Sequence, residues 1–562
     1  MVNRLITFLN KEFKGVNEAA LLLGGFAFLS QILGLVRDRT LAHIVGAGPM
    51  LDIYYAAFRI PDFLYLSIAS LASVTVLMPF LMDKMNNNEN SIEKAKKFMN
   101  NIFSAYIIFM IVASALIAIF MPYIVRYIVP GFNESQISLL ITTSRIMLLS
   151  PILIGLSNLI GTVTQLFRNF LVFSLSPVFY NVGILLGVIF LYPKFGVYGL
   201  SIGVIAGAFM HLLIQVPVVI KHNFFPNFTF KIDWKEILHI IKVSAPRTLT
   251  LSSNSLAFIF LIAMASTLKA GSISLFTFAF NLQSVPVGII GISYSVAAFP
   301  VLVKSFSMKD IDNFIKQIIL TARQIIFWSL PIITLLIVLR AQIVRVILGS
   351  NTFSWSDTRL TAASVALFVI SLASQGLVLL FVRGYYAAGN TKKPLFVNVF
   401  SSVMVIVFAK ILIYIFSSYP YILSQIEVFL RVKDVPGTIM LALPLAYALG
   451  SLLNFFLIWI LFKKDFLKDK KINLSSCFFE SATSAVVMGM VAYVLLDLLD
   501  GVFNINTGVG IFLQGFISGI AGIMSGVLIL ILLKNKEFSD IIVALSNKFW
   551  RKNVIAPEQT DL

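Results

Sequence analysis

Residues 24–48, GGFAFLSQILGLVRDRTLAHIVGAG, and residues 51–81, LDIYYAAFRIPDFLYLSIASLASVTVLMPFL, decide how this chain folds. They read as two long apolar helices that meet at the Gly46-Ala47-Gly48 turn. Inside or beside the apolar run sit Arg37, Asp38, Arg39, Asp52, Arg59 and Asp62. A charge at the centre of a membrane helix costs roughly 2.5–3.5 kcal/mol on insertion scales. A buried pair or a water-filled hollow must offset that cost, so the stretch predicts a polar interior within a membrane-embedded protein.

The whole chain agrees. Hydrophobic residues make up 59% of its 562 positions and charged ones 12%, with a mean hydropathy of +0.93. Apolar runs of about 20 residues recur along its length, enough to cross a hydrocarbon core about 30 Å thick. A net charge of +18 would point to nucleic acid in a soluble chain. Here the basic residues lie in short polar segments between apolar runs, where they set topology and meet anionic lipid. No nucleic-acid partner is expected. The single cysteine, Cys477, excludes an intrachain disulfide and a cysteine-based metal cluster. His43, His211, His222 and His239 show no ligand spacing, and no Walker-type glycine loop is present. The sequence therefore predicts neither an enzyme nor a resident metal or cofactor.

Fourteen candidate spans lie near 18–46, 51–82, 100–127, 136–164, 171–193, 196–220, 236–268, 272–303, 313–347, 357–388, 394–418, 437–462, 475–498 and 508–533. Runs this long do not alternate, and a spanning backbone must satisfy its own hydrogen bonds, so helices are expected and strands are not. The first run is too long for a signal-peptide core and leads into a second span, so the N-terminus is expected to be retained. Lysines gather after the even-numbered spans, as at Lys84, Lys94, Lys221, Lys304, Lys392 and Lys463, with Arg340, Arg345, Arg431 and Lys433 as exceptions on the other side. Both termini are expected to be cytoplasmic.

A weak internal repeat is visible. Residues 54–60, YYAAFRI, resemble residues 276–282, FTFAFNL, at an offset of 222, and Ser73-Val74 recurs as Ser295-Val296 at the same offset. Gly207 to Lys221 resembles Gly450 to Lys464 at an offset of 243. The expected architecture is an all-α polytopic membrane protein of about 14 transmembrane helices. Two pseudo-symmetric six-helix lobes occupy 1–235 and 236–471, two further helices 472–534, and a cytoplasmic amphipathic helix and tail 535–562. Paired lobes about a midplane site are a common transporter plan.

Several features have plain structural readings. Gly199, Gly203 and Gly207 form a small-residue stripe suited to helix packing. Trp328, Trp355 and Trp459 suit the interface. Phe538, Ile541, Ile542, Leu545 and Phe549 recur at helical spacing among basic residues, as in a helix lying on the inner leaflet.

Four segments carry a family resemblance. They are Leu33 to Asp38 with Gly46-Ala47-Gly48, Asp52 and Ala57 to Pro61; Pro130-Gly131-Phe132; Ser176 to Gly183 with Phe195 to Leu200; and Arg383 to Pro394. In their order and spacing the chain resembles the MurJ (MviN) lipid II flippases of the MOP exporter superfamily. The resemblance implies two lobes around a cationic cavity and inward-to-outward exchange of an undecaprenyl-pyrophosphate-linked disaccharide-peptide across the cytoplasmic membrane. It also implies a lipid-tail groove formed by the last two helices. Arg37 matches the family's cavity arginine on the first helix and Asp52 its acidic residue on the second. The chain departs from the pattern at Gln31, Tyr65, Leu66, Ser70 and Ser284, and Asn281 stands where helix eight of the family carries an arginine.

The residues support a compatible chemistry. A lipid pyrophosphate is a concentrated anion that planar guanidinium groups bind through paired hydrogen bonds. Arg37 is the first candidate ligand; its alternative is a partner for Asp38 or Asp52 that ties the first two helices together. Arg59 either lines a cavity or snorkels to the interface. Arg247 and Arg383 are candidates from the second lobe, Arg145 is a candidate cavity or interfacial residue, and Asn281 joins the set by its position. Asp38 and Asp52 are expected to orient arginines. The predicted activity is alternating-access flipping of lipid II; another polyprenyl-linked oligosaccharide or a small molecule, as in MATE-like exporters, is the alternative cargo. Coupling to the membrane potential, about 2.3 kcal/mol per charge per 100 mV, and to a monovalent cation near Ser252, Asn254 and Asn398 are both open. The expected partners are the glycan lipid, bilayer lipids and the cell-wall synthesis machinery.

Overall fold

The computed structural model describes residues 16–68, 74–86, 91–467, 474–504 and 507–550, and among these residues there is no strand. The chain begins with α1 (Val16–Ile44), α2 (Pro49–Ala57), α3 (Arg59–Ile68), α4 (Val74–Asn86) and α5 (Ser91–Ile128). The helices α6 (Glu134–Leu166), α7 (Phe170–Phe195) and α8 (Val197–Lys221) follow. Next come α9 (Trp234–Ser266), α10 (Ser272–Ser307), α11 (Ile311–Val338), α12 (Arg340–Leu348), α13 (Trp355–Val369), α14 (Leu372–Ala387), α15 (Lys392–Ser418) and α16 (Pro420–Leu430). The last are α17 (Thr438–Leu467), α18 (Ser475–Leu498), α19 (Gly508–Leu532) and α20 (Lys536–Trp550).

Among the described residues, eleven helices are long and apolar enough to cross a membrane, or twelve when α13 and α14, bent by 43°, count as one span. The expected count of fourteen is not reached. Its first span, α1, has side chains described only from residue 22, and that part carries Arg37, Asp38 and Arg39. Its second is broken between α2 and α3 at Phe58 and runs through residues 69–73, which lie outside the described residues.

The chain forms two compact units. The first comprises Met1–Leu282, Ile347–Leu367 and Thr391–Asn454. Lipid tails are as apolar as leucine, so helices in a bilayer are held by close packing of small residues and by hydrogen bonds. The contact of α7 with α8 shows this: Gly183 lies on Gly207 and Gly187 on Gly203, backbone against backbone, and a Cβ on any of them would strike the opposite main chain. The stripe read from the sequence is half of this seam. The end of α1 is shaped by Gly46, whose φ of 77° is left-handed backbone that glycine adopts without a Cβ penalty. Orphan carbonyls of that last turn are met by Thr352, whose hydroxyl donates to Ala42 O at 2.8 Å and His43 O at 2.7 Å. Asn133 caps α6 in a reciprocal box with Gln136, at 2.9 and 3.0 Å.

The second unit comprises Gln283–Val346, Phe368–Asn390 and Phe455–Leu562. The segment Val287–Ile292, directly after Pro286, widens α10 into a π-helical turn. The helices α18 and α19 pack through Gly522 and Gly526 against Met488 and Ser484, and the Ser484 hydroxyl donates to Gly526 O at 2.9 Å. Phe314, Phe381, Tyr385, Phe462 and Phe466 form an aromatic cluster with centroids 4.8–6.5 Å apart. Asp310 caps α11 through Asn313 N at 3.0 Å, and Asn535 caps α20 through Phe538 N at 2.9 Å.

Candidate functional site

Within the first unit, α1, α7 and α10 bring together a polar cluster centred on Arg37. Consecutive residues of a helix point about 100° apart, so an arginine pairs with its following aspartate only by folding its side chain back. Arg37 does this: Nε and one terminal nitrogen donate to Asp38 Oδ1 at 3.0 and 2.9 Å, and the other terminal nitrogen donates to Asn181 Oδ1 at 3.3 Å. Asn281 donates to Asp38 Oδ2 at 2.9 Å. Asn181 is itself fixed, donating to Ser30 Oγ at 3.3 Å and Pro177 O at 3.1 Å.

The two charges are unequally covered. The Asp38 side chain is 4% exposed and that of Arg37 24%. Asp38 is engaged on both oxygens, whereas Arg37 has used three of its five N–H groups on described residues. The remaining two, one on each terminal nitrogen, are left to donate to a phosphate or carboxylate. The carboxylate and the two asparagines pin the guanidinium in place.

Asp52 is placed differently from the expectation that it orients an arginine. It is buried, and it accepts from Gly271 N at 2.6 Å, from Ser274 N at 2.8 Å and from the Ser274 hydroxyl. It is thus a carboxylate on the N-terminus of α10, where unpaired N–H groups and the helix dipole both favour an anion. No arginine pairs with it among the described residues.

Arg59, at the start of α3, donates from Nε to Tyr55 O at 3.1 Å and lies over the Phe258 ring at 4.8 Å. It is partly buried and forms no ion pair among the described residues. Arg145 is exposed and donates to Ala118 O at 2.9 Å. Arg383 belongs to the second unit, where it bonds Ser295 Oγ at 2.7 Å and Ile292 O at 3.2 Å, bracing the widened turn of α10. The side chain of Arg247 lies outside the described residues, as does Ser70. Tyr65 accepts a hydrogen bond from Asn158.

Three neutral pairs occupy the region considered for a cation: Ser67 with Ser252 at 3.1 Å, Ser402 with Asn254 at 3.0 Å and Asn454 with Asn398 at 2.9 Å. No group of three or more His, Cys, Asp and Glu is placed to hold a metal among the described residues. Sequence reasoning did not single out Asn181 or Ser274. The signal for Asn181 was a lone amide four residues after Pro177 in an apolar run; for Ser274 it was a serine at the first turn of a span.

The family model described as lipid II flippase MurJ matches residues 41–517. This chain belongs to the MurJ family. Asp52, Arg59, Asn281 and Arg383 fall inside the matched stretch, and Arg37 and Asp38 immediately precede it. Among MurJ relatives, the chain is 29% identical over 382 residues to the "Probable lipid II flippase MurJ" of Buchnera aphidicola subsp. Acyrthosiphon pisum, covering 66% of this chain and 73% of that protein. Its fold is similar to a solved lipid II flippase MurJ in an inward closed conformation, with a TM-score of 0.71 at 21% identity over 93% of this chain and all of that one. It is also similar to an inward-facing MATE transporter of the MOP superfamily, with a TM-score of 0.60 at 16% identity over 79% of this chain and 96% of that one. MurJ is a family of multi-span membrane transporters, and the helical architecture of this chain is of that kind.

Proposed function

We propose that this chain flips lipid II, the undecaprenyl-pyrophosphate-linked peptidoglycan precursor, from the inner to the outer leaflet of the cytoplasmic membrane by alternating access. Membership of the MurJ family sets the class of cargo. The observation that carries the mechanism is the guanidinium of Arg37, immobilised by Asp38 and Asn181 with two N–H groups left to bind an anion. The pyrophosphate docks there while the polyprenyl tail stays in the bilayer. Arg59 supplies a second positive charge, and Asn281 acts through Asp38. Arg247 and Arg383 contribute from the second lobe, with the lobes divided as the sequence repeat divides them. Both termini face the cytoplasm, the membrane potential or a monovalent cation supplies the driving force, and the lipid is handed on to cell-wall synthesis enzymes outside.

A different polyprenyl-linked glycan is the second reading, and one observation favours it. Asn281 donates to Asp38 at the position where the family resemblance places an arginine, so the part of the site that meets the glycan differs from the family's pattern. Rescue of a cell depleted of its lipid II flippase tests the choice. Growth and normal shape support lipid II as cargo. Rescue only of a strain lacking an O-antigen-type flippase moves the assignment to the other glycan.

A further inference from the structure

The second unit holds a pocket of about 360 Å³ between the first turns of α11 and the start of α20. Its floor is built from an ion pair of low exposure, Arg323 with Glu537, whose side chains are 19% and 5% exposed. Only one oxygen of Glu537 serves that pair. Its Oε2, and Oε1 of Gln324 beside it, are buried acceptors with no hydrogen-bond partner among the described residues. Two such oxygens in one pocket call for a ligand that donates hydrogen bonds.

The rim says what else the ligand carries. Lys316 and Lys536 lie there with Asp312 and Asp540, all exposed. Counting Arg323 and Glu537, three cations face three anions, so the pocket suits a ligand of both signs rather than a simple anion. Its wall along α11 is apolar, with Ile315, Ile319 and Leu320. The site lies where α11 enters its apolar run and α19 leaves its own, at a membrane boundary.

We propose that this pocket binds the headgroup of a primary-amine phospholipid, such as phosphatidylethanolamine. The ammonium donates to Glu537 Oε2 and Gln324 Oε1, the phosphate meets Lys316 and Lys536, and the glycerol backbone lies along the apolar wall. A trimethylated amine has no N–H to give and cannot satisfy either oxygen.

Purified full-length protein, delipidated and then loaded with phosphatidylethanolamine, phosphatidylcholine or phosphatidylglycerol of identical acyl chains, tests this by native mass spectrometry and thermal unfolding. Retention of phosphatidylethanolamine at least tenfold above the other two, with the larger rise in melting temperature, is expected. Gln324→Leu should bring it down to the phosphatidylcholine level. Equal retention of the three lipids by the unaltered protein, or an undiminished preference in Gln324→Leu, would overturn the proposal. Binding of chain-free glycerophosphoethanolamine as strong as that of the lipid would overturn the assignment to a lipid.

Discussion

Asp52 and Ser274 are 222 residues apart and hydrogen-bonded to each other. That separation equals the offset of the internal sequence repeat, so equivalent positions of the two copies meet. The contact fastens the start of α10 to α2 through one carboxylate that serves three donors. Asp52→Ala should strip those donors of their acceptor and cost about 1–3 kcal/mol, read as a lower melting temperature in detergent. Asp52→Asn should lose about half as much.

Arg37 sets the anion site. Arg37→Lys keeps the charge but cannot hold Asp38 and Asn181 while offering two further N–H groups. Losing one charge-assisted bond of about 1.5–3 kcal/mol predicts a fall in transport of at least roughly tenfold in reconstituted vesicles, with insertion unchanged. Transport retained by Arg37→Ala would remove this residue from the mechanism. Pairing Arg37→Ala with Asp38→Asn separates loss of the ligand from the burden of an unpaired carboxylate, since only stability should recover in the double variant.

The glycine seam of α7 and α8 gives a test independent of function. Gly203→Val places its side chain on the Gly187 main chain, and such overpacking costs about 1–3 kcal/mol. Gly34→Ala, a helical position with open space around its missing Cβ, should be neutral or slightly stabilising. Unfolding monitored by circular dichroism distinguishes the two.

Removing either member of Arg323 and Glu537 breaks an ion pair of low exposure, at a cost of about 3–5 kcal/mol. Glu537→Ala should therefore release α20 to proteolysis and lower the unfolding temperature. The exchange Arg323→Glu with Glu537→Arg should restore part of the loss.

The spans were legible because twenty-residue apolar runs have one economical answer in a bilayer. The existence of a charged cluster could be read from Arg37, Asp38 and Arg39 in α1. The partners could not. Asp52 looked like an arginine partner because arginines are near it in sequence, yet its donors belong to a helix start more than two hundred residues on. Arg383 reads from the sequence as a candidate cation, but its contacts with the widened turn depend on how α10 bends after Pro286. Glu537 read as part of an amphipathic surface helix; its burial depends on α11, 214 residues away. Periodicity reports which face of a helix is apolar, and it is silent on what that face meets.

The distance between Arg323 and Glu537 has a consequence for how the protein is made. The guanidinium enters the membrane with α11, and its carboxylate is translated 214 residues later. At about 5–20 residues per second, that carboxylate follows the guanidinium by about 10–40 seconds. A chain released before Glu537 would keep its long apolar helices but lack the carboxylate that clasps α20 to α11.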